Sequence, residues 1–288
     1  MSLPEHLRWS PMAVGLSYAD AINAVSPGYA REILTLEYGS GFEGLLADRA
    51  DRLSGVLNGI DYNVWNPAAD PNLPANFDAD SLERRAENKR ALQEECRLPV
   101  RPDAPLIGMV SRLDGQKGFD LIAPALREFL KEDVQFALLG AGDPVYHAAM
   151  GALAGEYPDK VAAQFKFDAV AATHIYGGAD IFLMPSRYEP CGLGQMIALR
   201  YGAVPVVRAT GGLADTVVDA TSRNGTGLVF REYSSYALYA ALTRALTLYP
   251  DRASWRKLQQ RGMKADFSWD KSAKQYEGLY RKAMGYRR

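Results

Sequence analysis

The residues best suited to chemistry fall in four short segments. In Ser111-Arg112-Leu113-Asp114-Gly115-Gln116-Lys117-Gly118, two cations follow an apolar run and Gly118 opens a helical pattern. Two cations beside helical N–H groups suit a diphosphate. A solvated loop with ordinary surface cations has the same composition. In residues 185–195 (PSRYEPCGLGQ), Glu189 is pinned between two prolines, and Cys191-Gly192-Leu193-Gly194 offers bare backbone N–H groups to an anion. A rigid carboxylate beside an anion site suits a hydroxyl-rich substrate with a phosphate leaving group. Thr210-Gly211-Gly212-Leu213-Ala214-Asp215-Thr216 reads as a further backbone-donor loop, in which Asp215 also favours the helix dipole. Gly140-x-Gly142 lacks the third glycine of the dinucleotide fingerprint and reads as a tight strand–helix turn.

Other reactive side chains carry less. Cys191 reads as a small buried residue rather than a nucleophile. His6, His147 and His174 are scattered without metal-type spacing, so no metal is assigned. Ser26 and Ser186 lack the G-x-S-x-G context of a hydrolase elbow.

The four segments need a frame that holds them together. Short apolar runs at 21–26, 53–57, 106–110, 134–139, 161–165, 181–184, 204–207 and 227–230 read as buried strands. Helical patterns are expected over 30–34, 82–96, 119–130, 145–155, 170–176, 192–201, 213–218, 236–248, 254–263 and 272–283. Strands alternating with helices imply an α/β fold with a Rossmann-like parallel sheet covered on both faces. Ligands of such sheets sit off the carboxyl ends of the strands, where the four segments lie. Residues 66–80, rich in Pro, Asn and Asp, read as the linker. Asp80 or Ser81 is the expected cap of the next helix, whose many charges suggest an exposed element.

Composition narrows the class. The chain has 288 residues, 48% hydrophobic and 23% charged, as in an ordinary globular protein of about two domains. Its 33 Lys+Arg and 34 Asp+Glu give a net charge of −1, which argues against a nucleic-acid binder. Two distant cysteines form no disulfide framework and no zinc motif. No run is apolar and long enough to span a membrane, and the first residues lack a signal-peptide core. A cytoplasmic location is the resulting expectation, with a plastid origin left open.

The four segments, in this order, resemble the bacterial and plant glycogen (starch) synthases, retaining ADP-glucose glucosyltransferases of the GT-B fold. Glu-Pro-Cys-Gly-Leu at 189–193 with Thr-Gly-Gly-Leu-Ala-Asp-Thr-Val at 210–217 carries the likeness. So do YADAINAVSPGYA (18–30), LNGIDYNVWNP (57–67), ENK (87–89), LLGAGDP (138–144) and DFSW (266–269). Many related transferases place a second glutamate where this chain has Ile197, which favours the glycogen synthase branch.

The resemblance implies glucose transfer from ADP-glucose to the 4-OH of a non-reducing α-1,4-glucan end, with retention. Arg112, Lys117 and Glu189 would be catalytic. The two cations would hold the diphosphate and stabilise the leaving ADP, and Glu189 would hydrogen-bond the glucose. The loops at Gly192, Leu193, Gly194, Thr210, Gly211 and Gly212 would cradle phosphate and sugar. Phe167 would lie against adenine. Ser111, Gly140, Tyr176, Cys191 and Thr216 complete the expected substrate-binding set. No cofactor and no metal are expected. The partners would be ADP-glucose or ADP and the glucan, with no nucleic acid and no membrane. Gly194, Ala169 and His174 depart from the usual Thr, Glu and Arg.

The family's N-terminal Lys-x-Gly-Gly-Leu motif has no counterpart here. Residues 1–58 are therefore expected to be a remnant of the acceptor-side domain, 59–100 a crossover with one helix, 101–270 the nucleotide-sugar domain and 271–288 a closing helix. The remnant would expose apolar surface or bury it by self-association, and the chain alone would turn over little. A non-catalytic nucleotide- or glucan-binding module, or a transferase using another nucleotide sugar, are the alternatives.

Overall fold

The computed structural model describes residues 5–285. Helix α1 (Pro11–Tyr18) leads into strand β1 (Ile22–Ala24), helices α2 (Pro27–Glu32) and α3 (Glu43–Asp48), and strand β2 (Leu53–Gly55). β1 and β2 form a two-stranded parallel sheet. Helix α4 (Arg85–Glu95) crosses to the second sheet. There follow β3 (Leu106–Val110), α5 (Phe119–Phe129), β4 (Gln135–Leu139), α6 (Pro144–Glu156), β5 (Val161–Gln164), α7 (Ala169–Gly178) and β6 (Ile181–Met184). The chain continues with α8 (Gly194–Arg200), β7 (Val204–Arg208), α9 (Gly211–Thr216), β8 (Leu228–Phe230), α10 (Ser235–Leu248), α11 (Arg252–Lys264) and α12 (Trp269–Gly285).

The second sheet is parallel, with order β5-β4-β3-β6-β7-β8, the order of a dinucleotide-binding fold. Strand order reverses between β3 and β6, which opens a crevice at their carboxyl ends. The loops after these two strands carry Arg112 and Lys117, and Glu189.

Alternation along the strands divides the core between two faces. Ile107, Met109, Phe136, Leu138, Ile181 and Leu183 point to the layer of α5, α6 and α10. Leu106, Ala137, Leu139 and Phe182 point to the layer of α4, α7 and α8. Burying each of the larger of these side chains, Leu, Ile, Met and Phe, contributes about 1.5–3 kcal/mol. Gly108 interrupts β3 because α7 crosses so closely that a side chain would strike Ile175 and Ala179. Pro27 occupies the first turn of α2, with Ser26 capping it through Tyr29 N–H at 3.0 Å.

Three expectations are corrected. Residues 66–80 are not a free linker. Leu73, Ala75 and Phe77 are buried and Asp70 accepts from Tyr201 Oη at 2.5 Å. Few apolar residues suffice because each one is docked. Helix α4 is not exposed, since Arg85, Asn88, Lys89, Leu92 and Gln93 form a buried face. Its polar side chains find internal partners, such as Asn88 with both backbone groups of Ala75. Ser81 precedes the first turn without capping it; its hydroxyl donates to Asp78 instead. The sequence pattern also passed over α1 and α3.

The N-terminal segment leaves Trp9, Met12, Tyr18 and Leu36 exposed. Helix α12 returns to it, where Asn23 Nδ2 donates to Tyr276 Oη at 3.2 Å. Among the described residues, no helix is long and apolar enough to cross a membrane.

Candidate active site

The β3 loop folds on its own side chains. Asp114 accepts from Lys117 N–H and caps a short turn, after which Gly118 takes φ +79° and lies against Pro185 O. A side chain at Gly118 would overlap that carbonyl, so the β3 and β6 loops meet only because glycine stands there. Arg187 N–H donates to Gln116 O at 2.8 Å, a second tie between the two loops.

This closure brings Lys117 Nζ within 2.6 Å of Glu189 Oε2. Both side chains are largely buried, at 17% and 7% exposure. Ser186 Oγ donates to the same carboxylate oxygen at 3.0 Å. Lys117 Nζ makes no other hydrogen bond among the described residues, so its remaining N–H groups are free for a ligand. Arg112 is held loosely, by Asp114 at 3.2 Å and Gln116 at 3.1 Å, with its side chain 60% exposed.

From the start of the β3 loop, a cavity of about 380 Å³ opens between β3, β4 and the start of α7. Ser111, Arg112, Gly140 and Phe167 line it together. Phe167 stands at its mouth, 82% exposed. Gly140 is required because a Cβ would overlap Ser111 O. Asp168, also in the wall, caps α7. Hydrogen bonds from Ala171 N–H and from Lys166 hold its carboxyl below the usual range.

The Glu189 loop continues into α8. The N–H groups of Gly192, Leu193 and Gly194 have no acceptor among the described residues. They are bare donors at a helix start. Gln195 supports them from beneath, its Nε2 donating to Cys191 O, Gly192 O and Thr216 Oγ1. Cys191 is buried, and burial pushes its thiol pKa up. Tyr176 lies inside the fold, its ring 4.9 Å from Phe182 and its hydroxyl beneath Gly194.

The Thr210–Gly212 turn differs from its expected role as a donor cradle. Gly211 N–H donates to Glu32 Oε1 at 2.8 Å, and Gly212 N–H to Glu189 O at 3.0 Å. Thr210 Oγ1 also donates to Glu32, and Thr216 Oγ1 to Gly212 O. These donors are consumed in fastening the turn to α2 and to the Glu189 loop. Asp215 likewise accepts from Gly28 N–H at 2.6 Å. His174 lies in neither loop; its ring nitrogens meet Glu95 and Asn72 O.

Sequence reasoning missed Glu32, Ser186, Gln195 and Gln116 as parts of this site. Glu32 and Thr210 are 178 residues apart and leave no local signal. Among the described residues, no cluster of three or more His, Cys, Asp or Glu could hold a metal.

Residues 94–261 match the family described as glycosyl transferases, group 1. The chain belongs to that family. Residues 2–48 match the starch synthase catalytic domain. A glycogen synthase of Moorella thermoacetica is 53% identical, over 99% of this chain and 60% of its own length. One from Anaeromyxobacter dehalogenans is 56% identical, over 94% of this chain and 57% of its own. The chain thus spans about three-fifths of the length of the curated relatives it matches. The catalytic domain of starch synthase IV from Arabidopsis thaliana, bound to ADP and acarbose, superposes with TM-score 0.90 and 37% identity. That match covers 96% of this chain and 58% of the other. A sucrose-phosphate synthase from Thermosynechococcus elongatus shares the fold, with TM-score 0.67 and 22% identity. The group 1 assignment and the order of the parallel sheet agree.

Proposed function

We propose that this chain carries the donor side of a glycogen synthase. The whole enzyme moves glucose from ADP-glucose to the 4-OH of a non-reducing α-1,4-glucan end, with retention. The observation that carries the reading is the Lys117–Glu189 pair at the β3/β6 crevice, with Lys117 otherwise unpartnered among the described residues and Arg112 of the same loop lining a cavity of about 380 Å³. The similarity to glycogen synthases and to a starch synthase bound to ADP and acarbose supports it.

In this reading adenine enters the cavity against Phe167 and beside Gly140. The diphosphate lies between Arg112, Lys117 and the N–H groups of Gly192, Leu193 and Gly194. Lys117 turns part of its hydrogen bonding from Glu189 to the phosphate. Glu189, released in part, accepts from sugar hydroxyls. As the glycosidic bond to ADP breaks, negative charge grows on the leaving diphosphate. Fixed cations and N–H groups stabilise that charge more than the ground state, and removing one costs about 10²–10³ in rate. Residues 101–270 form the donor domain, and residues 1–58 with the last helix form the acceptor-side wall. The glucan is the acceptor partner.

Displacement of a fluorescent ADP analogue tests the donor. ADP-glucose is expected to displace it at far lower concentration than UDP-glucose. Equal displacement by the two would overturn the choice of donor.

A further inference from the structure

Every backbone carbonyl from Ser186 to Gly192 has a donor on it. Arg208 Nη1 donates to Ser186 O and Arg187 O, and Gln116 Nε2 to Tyr188 O. Gly212 N–H donates to Glu189 O, and Ser26 Oγ to Pro190 O. Gln195 Nε2 serves Cys191 O and Gly192 O. The loop that carries Glu189 is thus fixed through its backbone, from several segments at once. A functional side chain is only as well placed as the shell that supports it.

Two parts of this grip begin in the N-terminal segment. Ser26 is fully buried at the start of α2. Its hydroxyl donates to Pro190 O at 2.6 Å while accepting from Tyr29 N–H at 3.0 Å. One hydroxyl therefore joins the cap of α2 to the residue after Glu189. Glu32, at the other end of α2, acts one step removed. Its Oε1 accepts from Gly211 N–H at 2.8 Å and from Thr210 Oγ1 at 2.9 Å. That fastens Gly211 at φ +42°, so close to the loop that a Cβ there would lie 2.1 Å from Glu189 O. The next amide, Gly212 N–H, donates to that same oxygen at 3.0 Å. Both ends of α2 therefore bear on two consecutive carbonyls, those of Glu189 and Pro190.

We propose that Ser26 and Glu32 are positioning residues for Glu189, through which α2 sets the carboxylate that meets the donor sugar. Neither touches the ligand. The proposal rests on the reading of Glu189 as the group that accepts from sugar hydroxyls. It makes the sugar end of the donor site depend on the N-terminal segment. The diphosphate end, at Arg112, Lys117 and the Gly192–Gly194 N–H groups, depends on the larger sheet alone.

Calorimetric affinities of the full chain for ADP and for ADP-glucose test this. The ratio of the two reports what glucose adds. Glu32→Ala should lower that ratio about fivefold or more and leave ADP affinity within about twofold. Glu32→Gln keeps an oxygen on Gly211 N–H and Thr210 Oγ1, so it should restore most of the ratio. Ser26→Ala, a smaller excision, should show the same split and carries the test should Glu32→Ala not fold. A merely structural role would lower stability and leave the ratio in place. Hydrogen exchange gives a readout that needs no ligand. The Gly212 amide should exchange about tenfold or more faster in Glu32→Ala, with the amides of β3 and β4 unchanged. Glu189→Ala separates the two possible failures. If it leaves the ratio at the parent value, the sugar contact is wrong, and hydrogen exchange alone decides the positioning claim. If it lowers the ratio, an unchanged ratio in Glu32→Ala and Ser26→Ala overturns the proposal. So does a Gly212 amide that exchanges at the parent rate, or faster only in step with β3 and β4.

Discussion

Two lysine–carboxylate pairs stand at opposite ends of the same parallel sheet, and they look alike. Lys89–Asp180 closes at 2.7 Å with 7% and 12% exposure, Lys117–Glu189 at 2.6 Å with 17% and 7%. Their surroundings differ. Lys89 is encircled by two carbonyls and a tyrosine hydroxyl, and Asp180 also accepts from Leu106 N–H. Lys117 holds one carboxylate oxygen and nothing else among the described residues. A saturated pair is a fastener, because leaving it would break several bonds at once. An unsaturated pair can exchange its partner for a ligand at small cost. Distance and burial do not separate structure from function here; unfilled hydrogen-bonding capacity does.

Breaking the saturated end should have the largest effect on stability. Asp180→Asn takes the carboxylate away from two buried cations, Lys89 and Arg85, and should cost about 3–5 kcal/mol in urea unfolding. A loss below about 1 kcal/mol would mean that the pair is not the fastener described.

Gly118→Ala perturbs the open end instead. The residue sits at φ +79° and its Cβ would meet Pro185 O, so the β3 and β6 loops must part. About 1–3 kcal/mol of stability should be lost. Nucleotide affinity should fall with it, because Lys117 and Glu189 no longer face each other. Unaltered stability and affinity would show that the close approach of the loops is not needed.

The fold was largely readable because the apolar runs are short, regular and separated by glycine and proline. Leu106–Val110 and Ile181–Met184 stand as strands with the expected bounds. The crevice was readable for the same reason, since a parallel sheet places its loops at one end. What escaped was polar burial. Arg85 and Lys89 have the composition of a solvated helix face, and only the distant Asp180, Ala104 and Ala179 reveal otherwise. The docking of 66–80 escaped too, because Asp70 and Tyr201 meet across 131 residues. Likewise nothing near Thr210-Gly211 announces that Glu32 consumes its donors.

A third carboxylate sharpens the contrast with the smallest effect. Asp219 is saturated but partly exposed. Burial opposes its ionisation, yet hydrogen bonds from Arg244, Thr221 and the Val229 N–H lower its pKa to about 2. A folded pKa below the unfolded value near 3.8 stabilises the fold above that pH. The contribution is lost as pH falls through about 2. With solvent screening it should stay under about 1 kcal/mol. The stability gap between the parent and Asp219→Asn should therefore be full at about pH 5 and narrow steadily on acidification. A gap that widens in acid would contradict the assignment.

The most direct test of the open pair is calorimetric titration of ADP into this chain and into Lys117→Ala. The diphosphate should take up the idle N–H groups of Lys117, so the parent should bind and the variant should bind about ten- to a hundredfold more weakly, as expected for charge-assisted hydrogen bonds. Equal binding by both, or none by a folded parent, would contradict the claim that Lys117 is held in reserve for a ligand.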